Sequence, residues 1–222
     1  MKKVVLCHGF PYQKSFFSGL EIALKELLKG LNISEQSQFE IVNLDLGYFG
    51  NKNIPDLSSL NGAIAVGHGI GFNKLLDMNV SWGGIVGIST LLKFVNDDIS
   101  KRKIESLENS FEVDRELALK SMVGRLTNNQ IFFALPYSQA NWDLIKQDIN
   151  YLKNINSSFE LKKKNIPTLF LNGAKDLWYD INDANKQLNK YNLIVNEDAN
   201  HMLGYLDIIW CEKNIIKFIE SI

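Results

Sequence analysis

Apolar residues in this chain occur in short runs that alternate with longer amphipathic segments. The runs at residues 3–7, 39–44, 63–66 and 84–88 are rich in aliphatic residues, which is typical of strands buried on both faces. Residues 15–31 and the segment that follows residue 69 have the spacing of helices instead. Strands that alternate with helices predict an α/β protein with a mostly parallel sheet flanked by helices.

Residues 94–151 interrupt this alternation. Their apolar positions recur at helical spacing, and they contain no strong candidate for a strand. We therefore predict a helical lid inserted between two parts of one core, residues 1–93 and 152–222. In the second part, strands are predicted at residues 168–172 and 193–196, and helices at 181–188 and 206–222.

The segment at residues 63–76 organises the rest of the chain. An apolar run is followed by Gly67-His68-Gly69-Ile70-Gly71 and then by a helical pattern. Strand, sharp turn and helix in this order are the context of the nucleophile elbow, Gly-x-Ser-x-Gly. The glycines of that motif are present here, but position 69 carries glycine where the motif has its serine.

A second interpretation of these glycines is a dinucleotide-binding loop. That motif requires G-x-G-x-x-G, whereas Phe72 and Asn73 follow Gly71 here, and no acidic residue closes a second strand at a suitable distance. The elbow is therefore the better interpretation.

An elbow needs a base to take the proton of the nucleophile and an acid to orient that base. Asp176 follows the strand predicted at 168–172, and His201 follows the strand predicted at 193–196. Both lie at carboxyl ends of strands, where α/β sheets build their sites, and they occur in the order nucleophile, acid, base. The predicted catalytic positions are thus Gly69, Asp176 and His201.

Each of these residues also has a simpler interpretation. Asp176 alone is equally well a turn residue, and His201 alone is a surface histidine with satisfied hydrogen bonds. Asp180 and Asp198 are rival acids, although Asp198 lies very close to His201 in sequence. His68 is expected only to fill the variable elbow position, His8 to pack beneath a loop, and Cys7 to be inert within a strand.

Composition narrows the class of protein. The chain has 222 residues, of which 45% are hydrophobic and 22% charged, as expected for one globular domain. Its net charge of −1 favours neither nucleic acid nor an anionic membrane as a partner. Cys7 and Cys211 have no metal-like spacing, and a mechanism built on a nucleophile, a base and an acid implies neither a metal nor an organic cofactor. The apolar run before His8 is too short for a signal peptide, which predicts a cytoplasmic protein.

Five segments together carry a family resemblance: residues 5–10 (VLCHGF), 45–50 (DLGYFG), 66–71 (VGHGIG), 172–176 (NGAKD) and 199–201 (ANH). In them the chain resembles the α/β-hydrolases, and among these the pimeloyl-[acyl-carrier protein] methyl ester carboxylesterases of biotin synthesis. Residues 141–149 are similar to the helix that leads back from the lid in that family. The likeness covers nearly the whole chain, although the insertion matches only in pattern.

The resemblance implies hydrolysis of an acyl methyl ester by a Ser-His-Asp mechanism. It assigns Asp176 as the acid, His201 as the base, and the backbone N–H groups of Phe10 and Ile70 as the oxyanion hole. It fails at Gly69. Either a serine has been replaced deliberately to silence hydrolysis, or the protein has lost its nucleophile and binds without cleaving. Retention of the acid and the base favours the first explanation. A non-catalytic ligand-binding protein, a thioesterase and a carbon–carbon lyase remain as alternatives on the same fold.

The lid is expected to select the acyl chain and to meet a carrier protein. Apolar side chains expected along an acyl tunnel, or else in core packing, are Phe94, Phe111, Leu119, Met122, Phe132 and Phe133. Basic side chains expected to steer an acidic acyl-carrier protein are Lys101, Arg102, Lys103, Arg115, Lys120 and Arg125. Acidic residues are interleaved with them, so a solvated helix face is the simpler interpretation of this run.

Overall fold

A computed structural model describes residues 2–30, 39–128 and 135–222. Its single described sheet has six strands: β1 (Lys2–Cys7), β2 (Phe39–Leu44), β3 (Ile64–His68), β4 (Gly84–Ile88), β5 (Thr168–Gly173) and β6 (Asn192–Asn196). All neighbouring pairs are parallel, and the strand order is β2-β1-β3-β4-β5-β6. The predicted fold class and strands are therefore confirmed.

The order of the strands places the predicted site residues at one edge of the sheet. Every residue of β3 and β4 is buried, although successive side chains point to opposite faces. Helices therefore cover both faces of the sheet centre. The segments after β1, β3, β5 and β6 carry Phe10, Gly69, Asp176 and His201, and in a parallel sheet all of these segments leave from the same edge.

Nine α-helices are described in chain order. They are α1 (Ser18–Gly30), α2 (Ile70–Asp77), α3 (Asp98–Val113), α4 (Arg115–Leu126), α5 (Trp142–Asn154), α6 (Ser158–Lys164), α7 (Ile181–Leu188), α8 (Leu203–Leu206) and α9 (Ile208–Glu220). α1 packs against α9, and α2 packs against β3 and α6. None of the helices in the described part of the chain is long and apolar enough to cross a membrane.

The described part of the insertion is helical, as the apolar spacing predicts. Asp97, Asp114 and Asn141 each cap the helix that follows by accepting a hydrogen bond from its backbone. The predicted boundary between residues 151 and 152 falls inside α5, and the short helix α6 follows before the sheet resumes.

Buried polar contacts fasten the insertion to the core. Lys74 on α2 lies 2.5 Å from a carboxylate oxygen of Asp148 on α5. The hydroxyl of Tyr48 donates to the other oxygen of Asp148, also over 2.5 Å. The carboxylate of Asp148 is thus paired in a buried position and joins α5 to the helix that begins at the elbow.

Two predicted helices differ in detail. The helix expected at 15–31 begins as a 3₁₀ turn over Lys14–Phe17, which buries the adjacent rings of Phe16 and Phe17, and becomes α-helical at Ser18. Residue 31 lies outside the described residues. The helix expected at 206–222 is divided at Asp207, whose φ of −104° and ψ of 49° are not helical. The apolar spacing did not reveal this break, because Leu203 before it and Cys211 after it are both buried.

Candidate active site

Gly69 has the backbone conformation of a strained turn between β3 and α2. Its φ is +51° and its ψ is −129°, a region that L residues rarely adopt. Its N–H donates to the carbonyl of Ile88 over 2.9 Å, and its own carbonyl accepts from the hydroxyl of Thr90 over 2.8 Å. Residues at and just after the end of β4 therefore bind both the N–H and the carbonyl of Gly69.

The space around residue 69 differs from that around the neighbouring glycines. A Cβ on Gly67 would lie 2.4 Å from backbone atoms of Phe72, and one on Gly71 would lie 2.5 Å from two backbone carbonyl oxygens. A Cβ on Gly69 would meet nothing nearer than His201 Nε2, at 3.8 Å. Packing therefore requires glycine at 67 and 71, whereas at 69 there is room for a small side chain that points at His201.

His201 and Asp176 form a buried acid–base pair. His201 Nδ1 lies 2.7 Å from Asp176 Oδ2, and the other oxygen, Oδ1, accepts from the backbone N–H of Trp178 over 2.7 Å. A carboxylate can only accept, so Nδ1 carries the proton and the lone pair of the neutral imidazole is on Nε2. That nitrogen makes no hydrogen bond with a described residue, and it faces Gly69.

The rival acids lie elsewhere. Asp198 forms an exposed ion pair with Lys175 at 2.7 Å, and this cation lowers the pKa of the carboxyl. Asp180 caps α7 by accepting from the N–H of Asn182 over 2.8 Å. Asp176 is therefore the carboxylate that the fold brings to His201.

His68 contacts the acid–base pair, a relationship that sequence reasoning missed. Its Nε2 lies 2.9 Å from the carbonyl oxygen of His201, and its ring centroid lies 4.8 Å from that of His201. Burial and the nearby His201 hold the pKa of His68 well below its usual range, so the ring is neutral. Its position directly before Gly69 was visible in the sequence, but its partner 133 residues away was not.

His8 packs beneath a loop, as expected. Its Nε2 accepts from the N–H of Leu46 over 3.0 Å, and its Nδ1 donates to the carbonyl of Gly9 over the same distance. Cys7 is fully buried in β1, and burial raises the pKa of its thiol to about 12. The thiol therefore stays protonated and unreactive at neutral pH.

A cavity of about 20 Å³ lies between Gly69 and the insertion. Phe10 and Ile70 border it together with Gly69 and His201. Ile70 is the first residue of α2, where backbone N–H groups have no acceptor within the helix. Phe10 and Ile70, the residues predicted to supply the oxyanion donors, are thus close to the predicted nucleophile position and base. The remaining wall is apolar and is formed by Phe94, Met122, Leu126, Leu152 and Trp178.

Of the described side chains expected along an acyl tunnel or in core packing, only Phe94 and Met122 border this cavity. Phe111 and Leu119 are buried but do not border this cavity, because Phe111 packs against Trp142 at the junction of α3 and α5, with their ring centroids 6.0 Å apart. Phe132 and Phe133 lie outside the described residues.

Two residues of the loop after Asp176 belong to the site and were not singled out from the sequence. Trp178 borders both the small cavity and a larger one of about 310 Å³, which also contacts the N-terminal half of α3. Tyr179 is buried with its ring centroid 6.2 Å from that of His201. Burial and the Asp176 carboxylate raise the pKa of Tyr179 well above its usual range, so its hydroxyl stays protonated. Their only signal in the sequence was their nearness to Asp176.

The described residues contain no group of three or more His, Cys, Asp or Glu side chains arranged to hold a metal ion.

No protein-family model matches the sequence, and comparison with curated proteins gives no match either. Solved structures do resemble it. An esterase from Exiguobacterium antarcticum has a TM-score of 0.76 and 15% identity, with 99% of this chain and 92% of that chain covered. A hydrolase from Oleispira antarctica has a TM-score of 0.80 and 14% identity over 100% and 92% of the two chains. A bromoperoxidase from Bacillus anthracis has a TM-score of 0.73 and 16% identity over 99% and 92%. The chain has the α/β-hydrolase fold.

Proposed function

We propose that this α/β-hydrolase fold carries a site for hydrolysis of a carboxylic ester, with residue 69 as the position of the nucleophile. One observation carries the proposal: a Cβ built on Gly69 fits without a clash and lies 3.8 Å from His201 Nε2. One bond further, a hydroxyl oxygen reaches the distance of about 2.6–3.2 Å that a general base needs. The strained backbone that presents such a hydroxyl is already in place at Gly69.

With serine at residue 69, the site supports a two-step reaction. His201 Nε2 takes the hydroxyl proton as the oxygen attacks the ester carbonyl, and Asp176 stabilises the imidazolium that forms. The N–H groups of Phe10 and Ile70, with the N-terminal end of α2, stabilise the oxyanion. The alcohol leaves with the proton from His201, and water then releases the acid by the same route.

With glycine at residue 69, this covalent route is closed. Binding and the oxyanion hole remain, and they alone can leave about 10³–10⁴-fold acceleration over the uncatalysed reaction. The site of this chain is therefore organised for an acyl-enzyme intermediate that Gly69 cannot form.

The test is to compare Gly69→Ser with Gly69→Ala on a short p-nitrophenyl ester. Both variants add a Cβ to the same strained backbone, so they differ only in the hydroxyl. We expect Gly69→Ser to give a burst of nitrophenol and an acyl adduct visible by mass spectrometry, and Gly69→Ala to give neither. A Gly69→Ser protein that folds but shows no burst and no gain in turnover contradicts the proposal.

For the natural substrate, we propose an acyl methyl ester, specifically pimeloyl-acyl-carrier protein methyl ester. The support is the sequence resemblance and the basic residues of the insertion. Several of these have local partners: Lys101 lies 3.9 Å from Glu105, and Lys120 lies 2.5 Å from Glu116. Lys103 donates to the Trp178 carbonyl over 3.2 Å. Exposed pairs of this kind are weak and can exchange for a partner's carboxylates.

Pull-down with pimeloyl-carrier protein at low and high salt tests this substrate. We expect retention at low salt that is lost at high salt and on the double substitution Lys101→Glu with Arg102→Glu. If the carrier protein is retained equally well at high salt and by the doubly substituted protein, it does not dock through these residues. Parallel assays of methyl esters, thioesters and diketones with Gly69→Ser separate an esterase from a thioesterase or a lyase.

A second candidate function is ligand binding without cleavage, in a cytoplasmic protein. Gly69 itself favours it, because the site has an acid, a base and backbone donors but no side-chain nucleophile. Calorimetric titration of the Gly69 chain with a stable ester and with its acid product tests this function. Tight binding of an intact ligand with no turnover in either Gly69 or Gly69→Ser protein supports a receptor over an enzyme.

A further inference from the structure

We propose that the Gly69 chain hydrolyses activated esters with a water molecule as the nucleophile, held where a serine hydroxyl would be. This inference rests on the proposed function for its base and its oxyanion donors. It goes further, because it assigns an activity to the chain that has no side-chain nucleophile at residue 69.

The first support is the size of the cavity. Its volume of about 20 Å³ is sufficient for one water molecule, which requires about 10–15 Å³. The atom nearest to a Cβ built on Gly69 is His201 Nε2, at 3.8 Å. A water oxygen one bond length beyond that Cβ position lies within reach of the Nε2 lone pair.

The second support is the contrast between polar and apolar walls. A buried water needs two to four polar partners. Among the residues that border the cavity, His201 and Trp178 have nitrogen atoms in their side chains, and the other side chains are apolar. The water is therefore held by His201 Nε2, and the amides of Phe10 and Ile70 remain for the carbonyl oxygen of the ester.

The third support is the orientation of the base. Asp176 holds the Nδ1 proton of His201 over 2.7 Å, and His68 contacts the His201 carbonyl over 2.9 Å. Asp176 thus fixes the imidazole and His68 fixes the main chain of the same residue, with the basic nitrogen towards Gly69. Its position does not depend on a hydroxyl at residue 69.

The reaction balances with water as its only co-reactant. The water oxygen forms a bond to the ester carbonyl carbon as His201 Nε2 takes one of its protons. The carbonyl electron pair moves to the oxygen that faces the Phe10 and Ile70 amides. That pair then returns, the bond to the leaving alkoxide breaks, and His201 gives its proton to the alkoxide. The products are acid and alcohol, with no covalent enzyme species.

The test compares the Gly69 chain with its Gly69→Ala and His201→Gln variants, using p-nitrophenyl acetate. The methyl group of Gly69→Ala occupies the water position but leaves the base in place. We expect each substitution to lower the protein-dependent rate by about 10²-fold, the lower end of the contribution of a general base. We also expect linear product formation with no burst, no acyl adduct by mass spectrometry, and slower hydrolysis in D₂O.

Two results overturn the inference: a Gly69 chain no faster than His201→Gln, or a Gly69→Ala variant as fast as Gly69. Circular dichroism and thermal unfolding establish that each variant is folded, and Gly69→Ser has the same backbone strain as Gly69→Ala. A burst from Gly69→Ser with no His201-dependent rate in the Gly69 chain refutes only the water nucleophile. A folded Gly69→Ser without a burst refutes the proposed function instead.

Discussion

His68 holds the main chain of His201: its Nε2 lies 2.9 Å from the His201 carbonyl oxygen. Because Nε2 is within hydrogen-bonding distance of a carbonyl, which only accepts, it carries the proton, and Nδ1 has no hydrogen-bond partner among the described residues. The residue directly before Gly69 thus positions the base that faces Gly69. His201 is therefore linked to the elbow in two ways: its carbonyl contacts His68, and its Nε2 faces Gly69.

Replacement of His68 by phenylalanine should misplace His201 without touching substrate. In the Gly69→Ser background we expect kcat to fall by about 10- to 100-fold, because small displacements of a base are costly, while KM changes little. Steady-state kinetics on a short p-nitrophenyl ester measure both constants. His68→Gln keeps an N–H donor and should recover part of the loss. Equal losses in the two variants would show that the hydrogen bond is not the cause.

Acidification should destabilise the protein through His68. The unfolded ring titrates near 6.5, whereas the folded ring has a pKa well below that value. Between the two values the unfolded state binds more protons, so stability is complete above 6.5 and falls as pH decreases, by up to about 1.4 kcal/mol per pH unit. Denaturant unfolding at pH 7.5, 6.0 and 5.0 measures this dependence. In His68→Phe the dependence should be shallower, and an unchanged slope would exclude His68 as its source.

The choice of Asp176 over Asp198 as the acid can be tested with two isosteric substitutions. In the Gly69→Ser background, Asp176→Asn should lower kcat by about 10⁴-fold, since an amide favours the wrong tautomer of the base. Asp198→Asn removes only an exposed ion pair with Lys175 and should leave kcat within about twofold. A large effect of Asp198→Asn, or a small one of Asp176→Asn, would reverse the assignment.

Trp178 should limit the length of the ester that the site accepts. Its side chain, together with Phe94, borders both the cavity of about 20 Å³ at Gly69 and the cavity of about 310 Å³ beside it. Trp178→Ala in the Gly69→Ser background should join the two spaces and raise kcat/KM for C6 and C8 p-nitrophenyl esters relative to C2.

The matched control for that experiment is Leu177→Ala. Leu177 is adjacent in sequence and 59% exposed, and it borders neither cavity. It should leave the chain-length profile unchanged. A profile that Trp178→Ala also leaves unchanged would show that the larger cavity takes no part in binding the ester.

The sequence was sufficient for the α/β class and for the six strands to within two residues at each end, because short apolar runs alternate with segments of helical spacing. It was also sufficient to propose Gly69, Asp176 and His201, since strand ends in such sheets meet at one edge. It did not reveal the break at Asp207, because both sides of that break bury apolar residues.

Only the tertiary structure showed that Gly69, unlike Gly67 and Gly71, has room for a side chain. In the sequence, residues 67, 69 and 71 are all glycine. In the structure, a Cβ at residue 67 or 71 would collide with backbone atoms, whereas a Cβ at residue 69 would have His201 Nε2 as its nearest neighbour, at 3.8 Å. The partner of His68 and the cavities divided by Trp178 and Phe94 likewise depend on contacts between segments far apart in the chain. The spacing of apolar residues along the sequence indicates which face of a helix or strand is buried. The distance between the side chains on two such faces depends on how the helices and strands pack.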